Sequence, residues 1–422
     1  MFSKKTLENG LRIITVPMNG VTTVTILVMV DTGSNNETKE LNGISHFLEH
    51  MFFKGTKKRL TANIIASEVD GMGGYSNAFT SREHTGYYLK VPAQKFDQAL
   101  DLISDIFFNS LLDQQEVDKE RGVIMQELRM IHDDPQRYIG EIFEDILYGD
   151  QPAGWDLIGT PETLKRIQSD DLRDYFSSQY TVEDTFVVVA GNVDEKEAIE
   201  KVKNAFSGIR KGETRKKPLV REEQVKPEVL IFFKETDQTH FILGNRAFGV
   251  HDPRRFPASL LAHILGGSMA SRLFEEVREK RGLAYSINTF FDDYTTYGAM
   301  ATYAGVEHEN IEKTIPVILD EYKKIKEKPV PDEELLRAKE SMKGHLALSL
   351  ESSNALAFYF GGEEVSTGKP LTVEEIFSKI DAVTADEIQK TAQEIFKKES
   401  LNLAVIGPFK DKEKFERLLE EF

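Results

Sequence analysis

The chain has 422 residues, of which 53 are Lys or Arg and 70 are Asp or Glu, so its formal net charge is −17. This negative balance argues against nucleic acid as the main partner, because binding to the phosphate backbone depends on basic side chains. Cysteine is absent, which excludes disulfides and thiolate ligands, so any metal site must use His, Asp or Glu. The length predicts about two to four domains.

Two features of the sequence bear on location. The first ten residues, MFSKKTLENG, contain no apolar run, so we expect no signal peptide. The longest apolar segment, Val24–Val30, is far too short to span a bilayer. The sequence therefore predicts a soluble cytoplasmic protein without a membrane partner.

Hydrophobic periodicity predicts an alternation of strands and helices in the first half of the chain. Between Gly43 and Gly55 the pattern predicts one short helix, with Asn42 or Ser45 as its N-terminal cap and Gly55 in a left-handed conformation beyond its end. In chain order, the predicted elements are strands 11–16 and 22–30, the short helix, helix 62–72, strands 75–80 and 85–91, helices 96–109 and 114–132, helices over 137–147 and 161–179, strand 186–190 and helix 196–206.

The second half of the chain repeats the first. Residues 75–77 (YSN) are echoed by 285–288 (YSIN), and 186–191 (FVVVAG) by 402–407 (NLAVIG), at offsets of 210 and 216 residues. A repeat of this length indicates internal duplication. We therefore predict an α+β fold of two homologous domains, each an antiparallel or mixed sheet packed with helices.

A strongly charged segment separates the two halves. Residues 210–228 contain two prolines and show no apolar period, which is typical of a linker. The predicted organisation is an N-terminal domain at 1–211, a linker at 212–228 and a C-terminal domain at 229–422.

The pattern His-x-x-Glu-His falls in the short helix. His46, Glu49 and His50 are three and four residues apart, so their side chains project from one helical face. Two imidazoles one turn apart can bind one metal ion, and a carboxylate beside them can take a proton from a metal-bound water. This order is the inverse of His-Glu-x-x-His and occurs among zinc peptidases. The alternative is a polar face of a surface helix, because so short a motif also arises by chance.

A catalytic zinc needs a third protein ligand. The predicted helix 114–132 offers Glu120 and Glu127, which are seven residues apart and share a face. Glu127 lies among apolar residues, where a carboxylate is costly unless it is paired or bound to a metal. For Glu120, the alternative interpretation is a solvated glutamate at the edge of the helix.

Together these motifs resemble those of the insulinase/pitrilysin family of zinc metallopeptidases, the inverzincins. The chain is similar to the catalytic subunit of mitochondrial processing peptidase and to small bacterial members. The resemblance covers nearly the whole chain and rests on His46–His50 with Glu127, on 73–80 (GGYSNAFT), on 120–127 (ERGVIMQE) and on 278–285 (REKRGLAY).

The resemblance implies a zinc-dependent endopeptidase that hydrolyses peptides or unfolded polypeptide segments. It assigns one Zn²⁺ per chain to His46, His50 and Glu127, the role of general base to Glu49, and the orientation of a ligand to Glu120. It implies that Asn77, Ala78 and Phe79 offer a strand edge to the substrate, and that Arg278 and Tyr285 hold the peptide carbonyl and the developing oxyanion.

The resemblance also bears on assembly. Longer family members join four such domains in a clamshell, so this chain would be half of one. A homodimer with composite sites would complete it, and a heterodimer with a related chain stays open. A non-catalytic subunit of the same fold is the alternative function. A zinc-stabilised binding protein is less favoured, because a structural zinc site needs no general base.

Overall fold

The computed structural model describes residues 2–422, which form two compact units. The first unit comprises the chain up to Leu128, Asp156–Pro218 and Ala347–Thr372. The second unit comprises Arg129–Trp155, Leu219–Leu346 and Val373–Phe422. Each unit is therefore assembled from three separate stretches of sequence.

Within residues 2–422 the chain forms eleven strands and fifteen α-helices. The strands are β1 (Ser3–Thr6), β2 (Arg12–Pro17), β3 (Thr23–Val30), β4 (Tyr75–Thr80), β5 (Thr85–Pro92), β6 (Thr185–Gly191), β7 (Glu228–Phe233), β8 (Thr239–Ala247), β9 (Ala284–Asp293), β10 (Gly298–Val306) and β11 (Leu401–Gly407). The helices are α1 (Ile44–Phe52), α2 (Ala62–Gly71), α3 (Phe96–Asn109), α4 (Gln114–Asp133), α5 (Pro135–Tyr148), α6 (Pro161–Arg166), α7 (Ser169–Gln179), α8 (Glu195–Ala205), α9 (Arg255–Gly266), α10 (Ile311–Glu327), α11 (Asp332–Ser349), α12 (Ser353–Thr367), α13 (Val373–Ala382), α14 (Ala385–Ile395) and α15 (Glu413–Glu420). None of these helices combines the length and apolar character needed to cross a lipid bilayer.

The two sheets have the same topology. The first has the order β1-β2-β6-β3-β5-β4, and the second has the order β7-β11-β8-β10-β9. Apart from the extra strand β1, each sheet begins with one parallel pair, β2 with β6 or β7 with β11, and continues with antiparallel pairs. This correspondence confirms the predicted α+β fold with an internal duplication.

The first sheet is covered by helices on both faces. One face packs against α12, where Ala357 and Phe360 join a buried cluster with side chains of β2, β3 and β6. Gly361 permits this close approach, because a Cβ there would lie 3.0 Å from Leu27. On α1, Phe52 stacks on Tyr87 of β5 with ring centroids 4.8 Å apart. Helix α1, which carries the His-x-x-Glu-His pattern, therefore packs directly on the sheet.

The second sheet is built in a similar way. Helix α5 contributes Ile142, Phe143 and Leu147 to a buried cluster with side chains of β8, β10 and β11. Tyr322 of α10 donates from its hydroxyl to the Leu243 carbonyl of β8 at 3.2 Å, so α10 also lies against this sheet.

One helix from each half of the chain packs on the sheet formed by the other half. Helix α5 precedes β6 in the chain yet packs on the second sheet, and α12 precedes β11 yet packs on the first. The passage from the first unit to the second, at Pro218 and Leu219, falls inside the predicted linker. The domain limits 1–211 and 229–422 stay a prediction, which did not include this exchange of helices.

Helix α1 begins in a way that the sequence did not indicate. Its N-cap is Gly43, with φ of 93°, and glycine has no side chain that could accept a hydrogen bond from the helix. The buried carboxylate of Glu37 instead accepts hydrogen bonds from the backbone N–H groups of Gly43 at 2.7 Å and Ser45 at 2.8 Å. Asn42, one of the two predicted caps, donates to Glu37 rather than to the helix. The predicted cap is therefore wrong, whereas Gly55 has the predicted positive φ.

Glu37 gives the stability of the chain a dependence on pH. Burial raises the pKa of Glu37 to about 7 from its ordinary value of 4.5, against the opposing effect of its hydrogen bonds. The folded chain then holds this proton more tightly than the unfolded chain. The resulting stability is fully present below the unfolded pKa and is lost as the pH rises towards 7. We expect the free energy of unfolding to fall by roughly 3 kcal/mol over this interval because of Glu37.

Urea unfolding at several pH values checks this expectation. Glu37→Gln should remove that part of the pH dependence, although it also costs a hydrogen bond at all pH values. Glu8→Gln, at an exposed carboxylate of the same unit, is the control and should show the same fall in stability with pH as the parent. Parallel pH profiles for the parent and Glu37→Gln would show that Glu37 does not titrate in this range.

Candidate metal centre

Helix α1 directs two imidazoles towards one point. The rings of His46 and His50 are 4.6 Å apart between centroids and meet edge to face. Phe47, Leu48 and Met51 are buried on the remaining faces of the helix. The apolar residues therefore fix the rotation of the helix about its axis, and with it the direction of both imidazoles.

Glu127 of α4 completes a group of three potential ligands. Its Oε2 lies 3.8 Å from Nε2 of His46 and 3.4 Å from Nε2 of His50. In residues 2–422 this is the one group of three His, Asp or Glu side chains with ligand atoms within 4.8 Å of one another. The side chain of Glu127 is 32% exposed, so it is less enclosed than its apolar sequence neighbours suggested.

These three residues fit a tetrahedral zinc ion. Two ligand atoms at usual zinc distances lie roughly 3.3 Å apart in a tetrahedral site. The separations of 3.4 and 3.8 Å between Glu127 and the two imidazoles are close to this value. Two imidazole nitrogens and one carboxylate oxygen are also a common donor set of catalytic zinc, which leaves a fourth position open.

Glu120 fixes the far side of the His50 ring. Its Oε1 lies 2.8 Å from Nδ1 of His50, and its Oε2 lies 2.7 Å from Nζ of Lys54. With Glu120 ionised, Nδ1 of His50 donates and Nε2 is directed towards Glu127. The sequence indicated the face on which Glu120 lies, but it did not indicate Lys54.

The two imidazoles differ in their affinity for a proton. Burial and the neighbouring His50 lower the pKa of His46 to about 4. Burial also acts to lower the pKa of His50, but hydrogen bonds with Glu120 and Glu127 outweigh it and raise this pKa to about 9. A metal ion must displace the proton of His50, so its binding depends on pH.

Glu49 stands beside the three potential ligands and is held by Thr80. The Thr80 hydroxyl, at the end of β4, donates to Oε2 of Glu49 at 2.5 Å. Burial raises the pKa of Glu49, and the hydrogen bond from Thr80 partly offsets this effect. A raised pKa suits a group that must first accept and then release a proton near neutral pH. Sequence reasoning missed Thr80, because the contact joins two elements that are 31 residues apart.

Strand β4 carries the predicted substrate-binding residues at the edge of the first sheet. It pairs with β5 on one side only. Asn77 is exposed, and its side chain accepts a hydrogen bond from the N–H of Ala78 at 2.9 Å. Phe79 instead packs inward, 5.1 Å from the ring of Phe358. The backbone of residues 77–79 thus lies in the edge strand, and the side chain of Phe79 anchors that strand.

Arg278 and Tyr285 lie together in the second unit. Arg278 belongs to a π-helix, Phe274–Glu279, and Tyr285 lies near the start of β9. The guanidinium of Arg278 is 5.2 Å from the centre of the Tyr285 ring and 4.9 Å from that of Phe274. Tyr285 is 75% exposed, so its hydroxyl is available to a ligand.

Comparison with known proteins shows the family to which this chain belongs. The family model described as insulinase (peptidase family M16) matches residues 12–161, and the model described as peptidase M16 inactive domain matches residues 166–342. Uncharacterized zinc protease YmxG of Bacillus subtilis is 37% identical over 410 residues, which cover 97% of this chain and 98% of that protein. Uncharacterized zinc protease SCO5738 of Streptomyces coelicolor is 35% identical, with 97% of this chain and 90% of that protein covered.

A solved structure shows the same fold. The crystal structure of a protease from Helicobacter pylori superposes with a TM-score of 0.90 at 24% sequence identity, covering 97% of this chain and 99% of that one. Both family models and relatives that match over almost the full length lead to one conclusion: this chain belongs to the insulinase family of peptidases, peptidase family M16.

Proposed function

We propose that the chain is a zinc-dependent endopeptidase that hydrolyses peptide bonds in peptides or unfolded segments. The observation that carries this proposal is the placement of Glu49 beside the cluster of His46, His50 and Glu127. Zinc is the cofactor, with one ion per chain held by these three residues, and its chemistry when bound is to polarise a carbonyl and to lower the pKa of a water. The names of the relatives as zinc proteases support this choice of metal.

The chain's own residues perform the proton transfers. Glu49 takes a proton from the attacking water and delivers it to the leaving amine, while Thr80 holds its carboxylate in place. Glu120 keeps His50 in the tautomer with Nε2 directed towards Glu127. Arg278 and Tyr285 hold the substrate carbonyl and stabilise the developing negative charge.

The free edge of β4 receives the substrate. An extended peptide can add to this edge through its backbone, which requires a peptide or an unfolded segment rather than a folded domain. To bind there, the substrate would have to displace the contact between Asn77 and the N–H of Ala78. Recognition through the backbone should allow substrates of many different sequences to bind.

One observation bears on the alternative of a non-catalytic subunit. The model described as an inactive domain matches residues 166–342, which contain none of the three proposed ligands. His46, His50, Glu49 and Glu127 all fall within residues 12–161, matched by the insulinase model. We therefore favour a catalytic first domain and a second domain that contributes Arg278 and Tyr285. The predicted cytoplasmic location stays a prediction.

Substitutions at Glu49 and Glu127 should separate catalysis from metal binding. Glu49→Gln removes the base but leaves the ligands, so it should keep zinc and lower kcat by at least about 100-fold. Glu127→Ala removes a ligand and should lose most of the zinc, as measured by atomic absorption. Gln126→Ala, at an exposed neighbour on α4, is the control and should keep both zinc and turnover. Near-normal hydrolysis by Glu49→Gln would exclude it as the base.

We further propose that two copies of the chain assemble as a closed two-fold dimer. Each chain carries the three potential metal ligands in its first unit and the Arg278/Tyr285 pair in its second. Two chains supply four homologous domains, and the zinc of one protomer would face Arg278 and Tyr285 of the partner subunit. A two-fold dimer is also the commonest symmetric assembly. Because this chain keeps both motifs, it favours pairing with itself over pairing with a related chain.

Complementation tests the composite site. Glu49→Gln and Tyr285→Phe should each be nearly inactive alone. In a mixed dimer one of the two sites has an intact Glu49 and an intact Tyr285 of the partner subunit, so random exchange should restore about a quarter of the parent activity. Failure to regain activity, despite subunit exchange demonstrated with labelled chains, would mean that the pair does not act across a dimer.

A further inference from the structure

Lys54 lies close to the proposed metal site and has no role in the mechanism described so far. It follows α1, four residues after His50, and its Nζ lies 2.7 Å from Oε2 of Glu120. The other oxygen of that carboxylate lies 2.8 Å from Nδ1 of His50. One carboxylate thus bridges an ammonium group and a ring nitrogen.

The position of Lys54 is determined by a tightly held turn. Its backbone N–H donates to the Met51 carbonyl at 3.2 Å, and the carbonyl of Gly55 accepts from Leu111 at 3.0 Å. Gly55 has φ of 142°, and a Cβ there would lie 2.7 Å from the carbonyl oxygen of Leu60. The two backbone hydrogen bonds hold the turn, and glycine permits its close approach to Leu60, so that Lys54 is directed back towards Glu120 of α4.

The contact limits how the Glu120 carboxylate can rotate. The side chain of Glu120 is 8% exposed and that of Lys54 is 28% exposed, so the pair is largely shielded from water. Bonds between charged groups are short and strong in such surroundings. With one oxygen held by Lys54, the other is fixed opposite Nδ1 of His50.

From this geometry we propose that Lys54 is a positioning residue of the metal site. It acts through Glu120 on His50 and holds the imidazole with Nε2 directed towards Glu127. This inference rests on the proposed function in that it takes the three residues to bind zinc. The ion pair of Lys54 is with Glu120, which is not one of the three proposed ligands.

Zinc affinity is the direct readout, measured with Zn²⁺ in competition with a chromophoric chelator. Partners that orient a metal ligand typically contribute about 10- to 100-fold to metal affinity. Lys54→Met should therefore raise the Kd for zinc about tenfold. Lys54→Arg, which keeps the charge and the donors, should recover most of the loss. Lys58→Met is the matched control, because Lys58 lies four residues further along the same loop and pairs with the exposed Asp101 instead.

A double substitution shows whether Lys54 acts through Glu120. In a Glu120→Gln background, Lys54→Met should change the Kd for zinc by less than about twofold, because residues of one network do not contribute additively. An equal loss of affinity in the parent and in the Glu120→Gln background would overturn the proposal. A Kd for Lys54→Met that matches that of Lys58→Met would overturn it as well.

The outcomes also separate this inference from the proposed function. If the parent chain binds no zinc, the proposed function is wrong, and the proposed role of Lys54 is wrong with it. If the parent binds zinc tightly and Lys54→Met does so equally, only the role of Lys54 fails. Should Lys54→Met not fold, as judged by circular dichroism, Lys54→Gln carries the same comparison, since it removes the charge but keeps a polar side chain.

Discussion

The orientation of helix α1 is the constraint on which the rest of the site depends. His46, Glu49 and His50 project from one nine-residue helix, so any rotation of that helix moves both proposed ligands and the proposed base together. Its beginning is held by the buried carboxylate of Glu37, and its apolar faces are packed into the core. In its last turn, the Ser110 hydroxyl donates to the Met51 carbonyl at 3.2 Å. A short helix becomes a rigid support because it is fixed at both ends and along its sides.

Charge balance is the second requirement of this site. Glu49, Glu120 and Glu127 bring three carboxylates into a small, partly buried volume, where like charges disfavour one another. The structure offsets them with His50, Lys54 and the hydroxyl of Thr80. A divalent cation would add the remaining positive charge, which is a further physical reason for a metal at this place.

Some of this arrangement could be predicted from the sequence because it is local. The spacing of His46, Glu49 and His50 sets their common face through helix geometry alone, and the period of α4 sets that of Glu120 and Glu127. The duplication was visible because the repeated strands kept their sequence pattern. Their order in each sheet then followed the same topology.

Other parts depend on contacts between residues far apart in sequence. Glu37, Thr80 and Lys54 are ordinary polar residues in the sequence, and only the folded chain brings them to α1 or α4. The exchange of α5 and α12 between the sheets could not be predicted either, since both helices carry apolar residues that either sheet could bury. The N-terminal cap of α1 was predicted wrongly for a related reason, because a side chain six residues before Gly43 replaced the local one.

Removal and return of the metal tests the central proposal most directly. The purified chain would be assayed for zinc content and for cleavage of an internally quenched peptide, then stripped with a chelator, and then given back one equivalent of Zn²⁺. We expect one zinc per chain, loss of cleavage on stripping, and recovery when zinc is returned. Cleavage that continues undiminished in the metal-free chain would contradict a zinc peptidase at His46, His50 and Glu127.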